Sequence, residues 1–388
     1  MQISISILIS TLIASLEAQK YMINCFYGSW ASKTLKPQLL PQGINPNLCT
    51  HITYAFFELT GSGRVNRHEH EYATLAAFSK LKSNKGKPKL IAAIGGPSVK
   101  AEQFTAIAAD EEARTQLVTS VAMLLRDYSF DGADLHWYFP GRRFHNEDKE
   151  NFVTLLRDLK AELNENGYIS GVTVSGEVEY AARWYNVSQI SPNVDFINVM
   201  AYNYTSSIFP VFLAPLFGET SHVEASMNFW IAHGAPAGKL NLGVALIGRS
   251  FKIKILKPEL RTTTSGPLEK TTMAPVKETT MAPVKKTTLA PNVTTTPFPR
   301  FNTFTQMCIR GKNKSAHYHY IPRVETAFMI EGNVLTGFEN DQSLGAKMGF
   351  VKKHSLGGVM IWSLENEDFL GRCGLKFRIL RLINTLLK

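Results

Sequence analysis

The sequence predicts an α/β protein of the (β/α)8, or TIM-barrel, class, and two observations lead to that prediction. Eight short, almost continuously apolar runs recur along the 388 residues, and segments with helical periodicity lie between several of them. Continuous apolar runs are typical of parallel strands that are buried on both faces. Strands that alternate with helices close into a barrel or form a doubly wound open sheet, and periodicity alone leaves the second arrangement open.

The eight apolar runs are distributed over almost the whole chain. They are Met22–Phe26, Ile52–Phe57, Lys89–Ile94, Gly132–Trp137, Gly171–Ser175, Phe196–Ala201, Leu240–Leu246 and Val359–Trp362. The segments Asp110–Tyr128 and Asp148–Asn166 each place their leucines on one face, as amphipathic helices do. Asp110 and Asp148 stand at the amino ends of these helices, where an aspartate caps well. A last helix is predicted at Leu375–Leu387.

The composition is that of a globular chain, with 44% hydrophobic and 19% charged residues. A formal charge of +10 suits acidic glycans, membrane surfaces or nucleic acid, but a solvated basic surface is the simpler explanation. No basic stripe is interleaved with aromatic residues, which argues against a nucleic-acid-binding protein.

Residues 1–18 have the pattern of a secretory signal peptide. An apolar run extends to Ala14, small residues follow, and Ala18 precedes Gln19 at the predicted cleavage point. The apolar part is too short to span a membrane, and no second long apolar run follows it. We therefore expect residues 19–388 to form a secreted, extracellular protein without a membrane span.

A Thr/Pro-rich segment interrupts the pattern between the seventh and eighth strand candidates. Three eight-residue repeats, TTMAPVKE, TTMAPVKK and TTLAPNVT, lie within residues 262–299, where Thr and Pro dominate. Such a composition cannot bury apolar surface, so we predict an extended insertion, typical of mucin-type O-glycosylated spacers. A repeat that binds a ligand is the alternative. The sequons at Asn292 and Asn313 lie in loop-like sequence and are predicted glycosylation sites.

The cysteines indicate disulfides rather than a metal site. An even number in a secreted chain suggests two bridges, for which three pairings exist. The four are Cys25, Cys49, Cys308 and Cys373. Because no group of residues has metal-ligand spacing, we expect neither a metal nor a cofactor.

The most specific chemical information lies in residues 130–140, which read FDGADLHWYFP. This stretch resembles the F-D-G-x-D-x-D-W-E-Y-P signature of glycoside hydrolase family 18, the chitinases. Asp131 and Asp134 match that signature. His136, however, stands at the position of the third aspartate, and Tyr138 stands at the position of the catalytic glutamic acid.

Further motifs occur in the order that the family implies, so the resemblance covers nearly the whole mature chain. They are Lys89–Gly96, Asp195–Tyr204, Leu242–Phe251 and Gly357–Gly374, similar to the third-, sixth-, seventh- and eighth-strand motifs. The resemblance implies a TIM barrel with an insertion domain between strands seven and eight, of which residues 300–338 would be a reduced remnant. It also implies the disulfides Cys25–Cys49 and Cys308–Cys373.

The substitutions remove the chemistry that the resemblance implies. In the family, a glutamic acid protonates the glycosidic oxygen while the substrate's own acetamide attacks the anomeric carbon. A tyrosine, with a pKa near 10 against about 4.3 for glutamic acid, is about 7–8 kcal/mol poorer as a proton donor in equilibrium terms. His136 supplies no negative charge, and Asn203 replaces the aspartate of the sixth-strand motif. We therefore predict no hydrolase activity, and a new His136–Tyr138 acid–base pair is the least favoured alternative.

Binding is a separate question, because sugars stack on aromatic rings in concave sites. The resemblance places five residues at binding positions: Trp30, Met200, Tyr202, Arg249 and Trp362, the last at the floor of the cleft. Phe26, Pro97 and Ile247 replace aromatic residues that are usual in the family. We predict a binder of chitin or N-acetylglucosamine oligosaccharides, with a growth-factor-like or protein-interaction role, partner unknown, as the alternative.

Overall fold

The computed structural model describes residues 21–33, 37–67, 71–82, 88–141, 146–204, 212–219, 221–255 and 293–388. The predicted signal peptide, most of the Thr/Pro-rich segment and Asn292 lie outside these residues. Across the part of the chain that is described, no helix has the length and apolar composition that crossing a bilayer requires.

The predicted (β/α)8 barrel is confirmed: eight parallel strands close into a barrel in the order β1-β13-β7-β6-β5-β4-β3-β2. These strands are β1 (Met22–Gly28), β2 (His51–Phe57), β3 (Lys89–Gly95), β4 (Gly132–His136), β5 (Ile169–Ser175), β6 (Phe196–Met200), β7 (Leu240–Ala245) and β13 (Gly358–Trp362). Their apolar runs are buried on both faces, as in β3, where the six residues after Lys89 are all buried. The doubly wound alternative is therefore excluded.

Helices surround the barrel. They are α1 (Tyr72–Ser79), α2 (Ala101–Ala109), α3 (Glu111–Asp127), α4 (Asp148–Glu165), α5 (Val178–Trp184), α6 (Val187–Ile190), α7 (Val223–Ala232), α8 (Phe304–Arg310), α9 (Asp341–Lys353) and α10 (Arg378–Leu386). One of them, α8, packs against the inserted sheet that is described below. Asp110 caps α3 as predicted, since its carboxylate accepts the N–H of Ala113 at 2.8 Å.

The prediction that Asp148 caps α4 is wrong. Glu147 occupies the cap position, and Asp148 lies buried in the first turn of the helix. Its carboxylate accepts hydrogen bonds from the Gly141 N–H at 2.8 Å and the Thr105 hydroxyl at 3.0 Å. Asp148 therefore anchors the chain that follows β4 to helix α2, which a local capping rule could not predict.

A second, antiparallel sheet is inserted between β7 and β13. Its strands are β8 (Ile247–Ile255), β9 (Val293–Thr303), β10 (Ala316–Ile321), β11 (Thr326–Glu331) and β12 (Val334–Phe338), in the order β10-β11-β12-β8-β9. The sheet is larger than the remnant expected from residues 300–338, because β8 pairs with β9. Residues 293–299, assigned to the Thr/Pro-rich segment, belong to β9.

Two disulfides fasten the chain, in the pairing that the resemblance implies. Cys25 on β1 is bonded to Cys49, just before β2, with their Cα atoms 6.0 Å apart. Cys308 on α8 is bonded to Cys373, after the last barrel strand, with a Cα separation of 6.2 Å. The second bridge ties the inserted sheet to the segment that leads into α10.

A buried ion pair joins the end of the inserted sheet to α9. Lys347 and Glu339 are almost completely buried, and the Lys347 ammonium donates a hydrogen bond to the Glu339 carboxylate. The Ser343 hydroxyl donates to the other oxygen of Glu339 at 2.6 Å. Each charge is therefore compensated where water does not reach it.

We expect Lys347→Met to lower the free energy of unfolding by about 3 kcal/mol, because it leaves the buried Glu339 carboxylate without a counter-charge. Urea denaturation followed by circular dichroism measures this change. The double variant Glu339→Gln/Lys347→Met, which removes both charges, should recover most of the loss. Equal destabilisation of the single and double variants would contradict this account.

Candidate functional site

The candidate site lies at the mouth of the barrel, where the carboxyl ends of the parallel strands meet. β4 ends at His136, two residues before Tyr138, and β13 ends at Trp362. Trp30 follows β1, and Tyr202 follows β6. Segments that are far apart in the sequence therefore supply one site.

The floor of the site is aromatic. The Trp362 ring lies 5.6 Å from Phe26, 6.0 Å from Trp30 and 5.8 Å from Phe56, measured between ring centroids. Phe26 is fully buried beneath the floor, whereas the other three rings are half-buried and keep an exposed part. Met200 also packs against this cluster. Partly exposed indole rings on a rigid barrel form an apolar surface on which a flat ligand face can stack.

Glu365 holds the two tryptophans of the floor in place. Its buried carboxylate accepts hydrogen bonds from the Gly28 N–H at 3.2 Å, the Ser363 hydroxyl at 2.7 Å and the Trp30 side chain. Gly28 is required here, since a Cβ atom would lie only 2.3 Å from the Trp30 indole. The end of β1 is thus fixed against the end of β13, although burial raises the pKa of Glu365.

Asp134 lies in the barrel interior beneath the mouth. One of its oxygens accepts hydrogen bonds from the Thr173 hydroxyl at 2.6 Å and the Asn198 amide at 3.2 Å. Its other oxygen has no partner among the described residues. Burial raises the pKa of Asp134 to about 7, only partly opposed by these two hydrogen bonds. The charged form of Asp134 is therefore disfavoured in the folded protein.

His136 is a neutral, apolar-packed side chain. It is 3% exposed, its ring lies 5.0 Å from that of Phe56 in an edge-on arrangement, and neither ring nitrogen has a partner in the described structure. Burial lowers the pKa of His136 to about 3, so the ring carries no charge at neutral pH. It offers a substrate neither the negative charge of an aspartate nor the repulsion of an imidazolium.

Tyr138 is half-buried at the edge of a groove of about 610 Å³. Its ring lies 5.8 Å from that of His136 and 4.1 Å from that of Phe139. The opposite wall is formed by the loop after β3 and the start of α2: Pro97, Ser98, Val99, Lys100, Ala101 and Glu102. The sequence analysis named Pro97 but not Ser98–Glu102. Their position directly after the third-strand motif was the only indication that they could line the site.

Arg249 and Asn203 stand on the side of β6 and the inserted sheet. Arg249 lies on β8 and not on a barrel strand; its guanidinium donates to the Tyr204 carbonyl at 3.3 Å and lies 5.0 Å from the Phe251 ring. Asn203 has a φ of +56°, a left-handed conformation that asparagine tolerates better than most residues. Its N–H donates to the Leu213 carbonyl at 2.6 Å, so its backbone has a structural role.

Asp131 does not belong to the site. It lies just before β4, at the amino end of that strand, and accepts the Leu90 N–H at 2.8 Å. Its carboxylate also forms ion pairs with Lys82 at 2.8 Å and Lys89 at 3.3 Å. The signature therefore contains one aspartate that fastens β4 to β3 and only one, Asp134, that faces the interior of the barrel.

The described part of the chain contains no cluster of three or more His, Cys, Asp or Glu side chains with which a metal ion could be bound. The mouth combines aromatic rings, a neutral histidine and phenolic hydroxyls. Burial raises the pKa of Tyr202, whose hydroxyl lies 4.0 Å from the Met360 sulfur, so this residue also stays neutral. Such a surface binds uncharged groups better than it moves protons.

Comparisons with known proteins agree with the fold and the motifs. The family described as glycosyl hydrolases family 18 matches residues 22–367. Chitotriosidase-1 of Mus musculus is 28% identical over 372 residues, covering 89% of this chain and 73% of its own. Oviduct-specific glycoprotein of Sus scrofa is 28% identical over 384 residues, covering 94% and 68%.

A solved structure gives the same result in three dimensions. Catalytic domain 2 of the Ostrinia furnacalis group II chitinase, a mutant in complex with penta-N-acetylchitooctaose, aligns with a TM-score of 0.78 at 26% identity. The alignment covers 95% of this chain and 96% of that structure. The inserted sheet as well as the barrel therefore falls within a known architecture.

We expect the stability of Asp134→Asn relative to the wild type to increase by up to about 4 kcal/mol between pH 4 and pH 8. The folded Asp134 keeps its proton until about pH 7, whereas the unfolded chain releases it near pH 4, so wild-type folding is penalised as the pH rises. Thermal denaturation across this pH range measures the difference.

The control for this experiment is Asp127→Asn, because a hydrogen bond from Arg67 lowers the pKa of the exposed Asp127. If the stability of Asp127→Asn relative to the wild type changes with pH, it should decrease as the pH rises. A relative stability of Asp134→Asn that does not change with pH would show that the buried carboxyl titrates normally.

Proposed function

The chain belongs to glycosyl hydrolase family 18, and from that membership we propose that it is a secreted, catalytically inactive, chitinase-like lectin. Its ligand is chitin or an N-acetylglucosamine oligosaccharide, bound at the mouth of the barrel. The observation that carries this proposal is the aromatic floor around Trp362. This floor is present in a chain that has His136, Tyr138 and Asn203 at the acidic positions of catalysis.

The loss of catalysis rests on three positions. Substrate-assisted hydrolysis needs an acid beside the glycosidic oxygen and negative charge beside the oxazolinium cation. At these positions the chain has Tyr138, His136 and Asn203, and burial holds His136 neutral. Asp134 is the remaining signature carboxyl at the barrel interior, and its charged form is disfavoured by burial.

Retention of binding rests on the geometry of the floor. The rings of Trp362 and Trp30 are fixed through Glu365 and keep exposed surface, so they offer a stacking platform that costs little conformational entropy to use. A related chitinase structure holds penta-N-acetylchitooctaose. That complex supports a chito-oligosaccharide as the ligand class.

Two substitutions favour a second candidate function, a protein-interaction role without sugar binding. Phe26 has no hydroxyl at a floor position where the family usually has a tyrosine. Pro97 has no aromatic ring at a wall position of the groove beside Tyr138. Both changes reduce what a sugar can contact. The two functions differ in whether Trp362 is required.

We expect the N-acetylglucosamine hexamer to bind the wild type with micromolar affinity in a calorimetric titration. Trp362→Ala should weaken binding at least tenfold, since it removes about 1.4 kcal/mol or more of stacking and burial. Tyr72→Ala, which truncates a 45% exposed ring on α1, is the matched control and should bind normally. If neither wild type nor control binds at millimolar concentrations, the second candidate function replaces the first.

We expect Tyr138→Glu alone to give no hydrolysis of a fluorogenic chitobioside, because His136 and Asn203 still provide no negative charge. The reference is Tyr138→Phe, which lacks any acidic proton at this position, assayed over the same pH range. Glu102→Gln tests whether the one carboxylate that lines the groove supplies residual activity. Turnover by Tyr138→Glu above that reference would show that the two neighbouring positions are not required.

A further inference from the structure

Exposed apolar side chains are concentrated around the second disulfide. Large hydrophobic residues exposed by more than two-fifths include Leu375 (72%), Tyr318 (50%), Ile309 (43%) and Leu370 (42%). Ile309 follows Cys308 directly, and Leu370 and Leu375 lie within three residues of its partner, Cys373. The disulfide thus brings together side chains from two segments about 65 residues apart. An accumulation of this kind is unusual on a surface that faces only water.

A concave pocket of about 350 Å³ opens at the same place. Its base contains Phe304, the buried Met307 and Phe338, and its wall includes the disulfide itself. Tyr318 forms one side: its ring lies 5.7 Å from that of Phe338, and its hydroxyl donates to the Met307 carbonyl at 3.4 Å. The pocket is therefore shaped for a bulky apolar group that enters from outside.

The rim of this pocket is basic. Lys312 lines the pocket, and its ammonium donates to the backbone carbonyl of Arg372 at 2.9 Å, so the Arg372 backbone lies beside the pocket. From Phe369 to the last residue, Lys388, the sequence contains five Lys or Arg and no Asp or Glu; the five are Arg372, Lys376, Arg378, Arg381 and Lys388.

Both carboxylates that line the pocket are already compensated. Asp341 is paired with Arg378, and Glu339 is the buried partner of Lys347. Because Arg378 is paired with Asp341, the positive charge beside the pocket comes from Lys312, Arg372 and Lys376, for which the described residues contain no ion pair. A pocket with an apolar base and unpaired cationic residues beside it resembles the centre and rim of a protein interface.

We propose that this surface, made of the pocket with Ile309, Leu370, Leu375 and their basic rim, binds an acidic polypeptide segment that inserts one bulky apolar side chain beside the disulfide. Charge complementarity selects an acidic partner, and the concave shape selects a side chain rather than a flat bilayer. A sulfated polysaccharide has no apolar group to fill the pocket. This binding is independent of the sugar site, with which the pocket shares none of its lining residues.

The predicted glycosylation site Asn313 lies next to this surface without facing it. Its side-chain amide donates to Glu331 at 3.3 Å, and Glu331 is not part of the pocket. A glycan at Asn313 would therefore start outside the pocket. Measuring the binding of acidic peptides to Asn313→Gln shows whether such a glycan limits access to the pocket.

The test is a selection of random 12-residue peptides on phage against the folded full-length protein. The enriched peptides are then measured by fluorescence anisotropy at low and high salt. We expect peptides with net negative charge and a bulky apolar residue, bound less tightly at high salt. Leu375→Ser/Lys376→Glu should weaken that binding at least tenfold. Tyr318→Ser should weaken it as well.

The matched control is Leu40→Ser/Lys80→Glu, which also removes one exposed leucine and reverses one exposed lysine, but near α1. It should bind the peptides as the wild type does, and so should Trp362→Ala. The proposal is overturned if no peptide is enriched, if the enriched peptides are not acidic, or if both double variants behave alike. It is also overturned if the surface variant instead loses binding to phosphatidylserine vesicles or to immobilised heparin while peptides are not bound.

Discussion

The pairing of β1 with β13 is the interaction on which the rest of the structure depends, because it closes the sheet into a barrel. Four residues of β1, from Met22 to Cys25, pair in parallel with four of β13, from Gly358 to Ile361. The approach is close: a Cβ atom at position 358 would lie 1.9 Å from the Met22 carbonyl oxygen. Closure places Trp30 and Trp362 at neighbouring strand ends, where Glu365 fixes both.

Polar contacts beneath the mouth stabilise the interior of the barrel. There the Asp134 carboxylate accepts hydrogen bonds from the Thr173 hydroxyl and the Asn198 amide. At the mouth, by contrast, the His136 ring packs edge-on against the Phe56 ring. Burying this neutral ring costs less than burying a charge would, although its two nitrogens have no hydrogen-bond partner among the described residues.

The inserted sheet is fastened to the barrel at two points, and both bear on the surface around Cys373. The disulfide from Cys308 holds α8 against the segment after β13, and the ion pair of Glu339 and Lys347 holds the exit of the sheet on α9. A rigid support of this kind lowers the entropy that a binding surface loses when a partner docks. The exposed leucines there are therefore presented in a fixed geometry.

The sequence alone was sufficient for the barrel strands, because runs buried on both faces are continuously apolar and need no knowledge of their neighbours. It also predicts that His136, Tyr138 and Asn203 supply no carboxylic acid at the mouth, since the acidity of a side chain follows from its type. It was not sufficient for Asp148, for which the capping rule predicted the wrong role, or for Asp131, whose ion pairs no local motif predicts.

Only the tertiary structure decided those two roles, because the partners of Asp131 and Asp148 lie on other elements of the fold. The same holds for the neutral state of His136, which arises from burial by Phe56, and for the pairing of β8 with β9 across the Thr/Pro-rich segment. It also holds for the apolar surface around Cys373, which unites two distant segments. Burial, pKa values and contacts between distant segments depend on which residues the folded chain brings together. Strand patterns and side-chain chemistry, by contrast, follow from the local sequence.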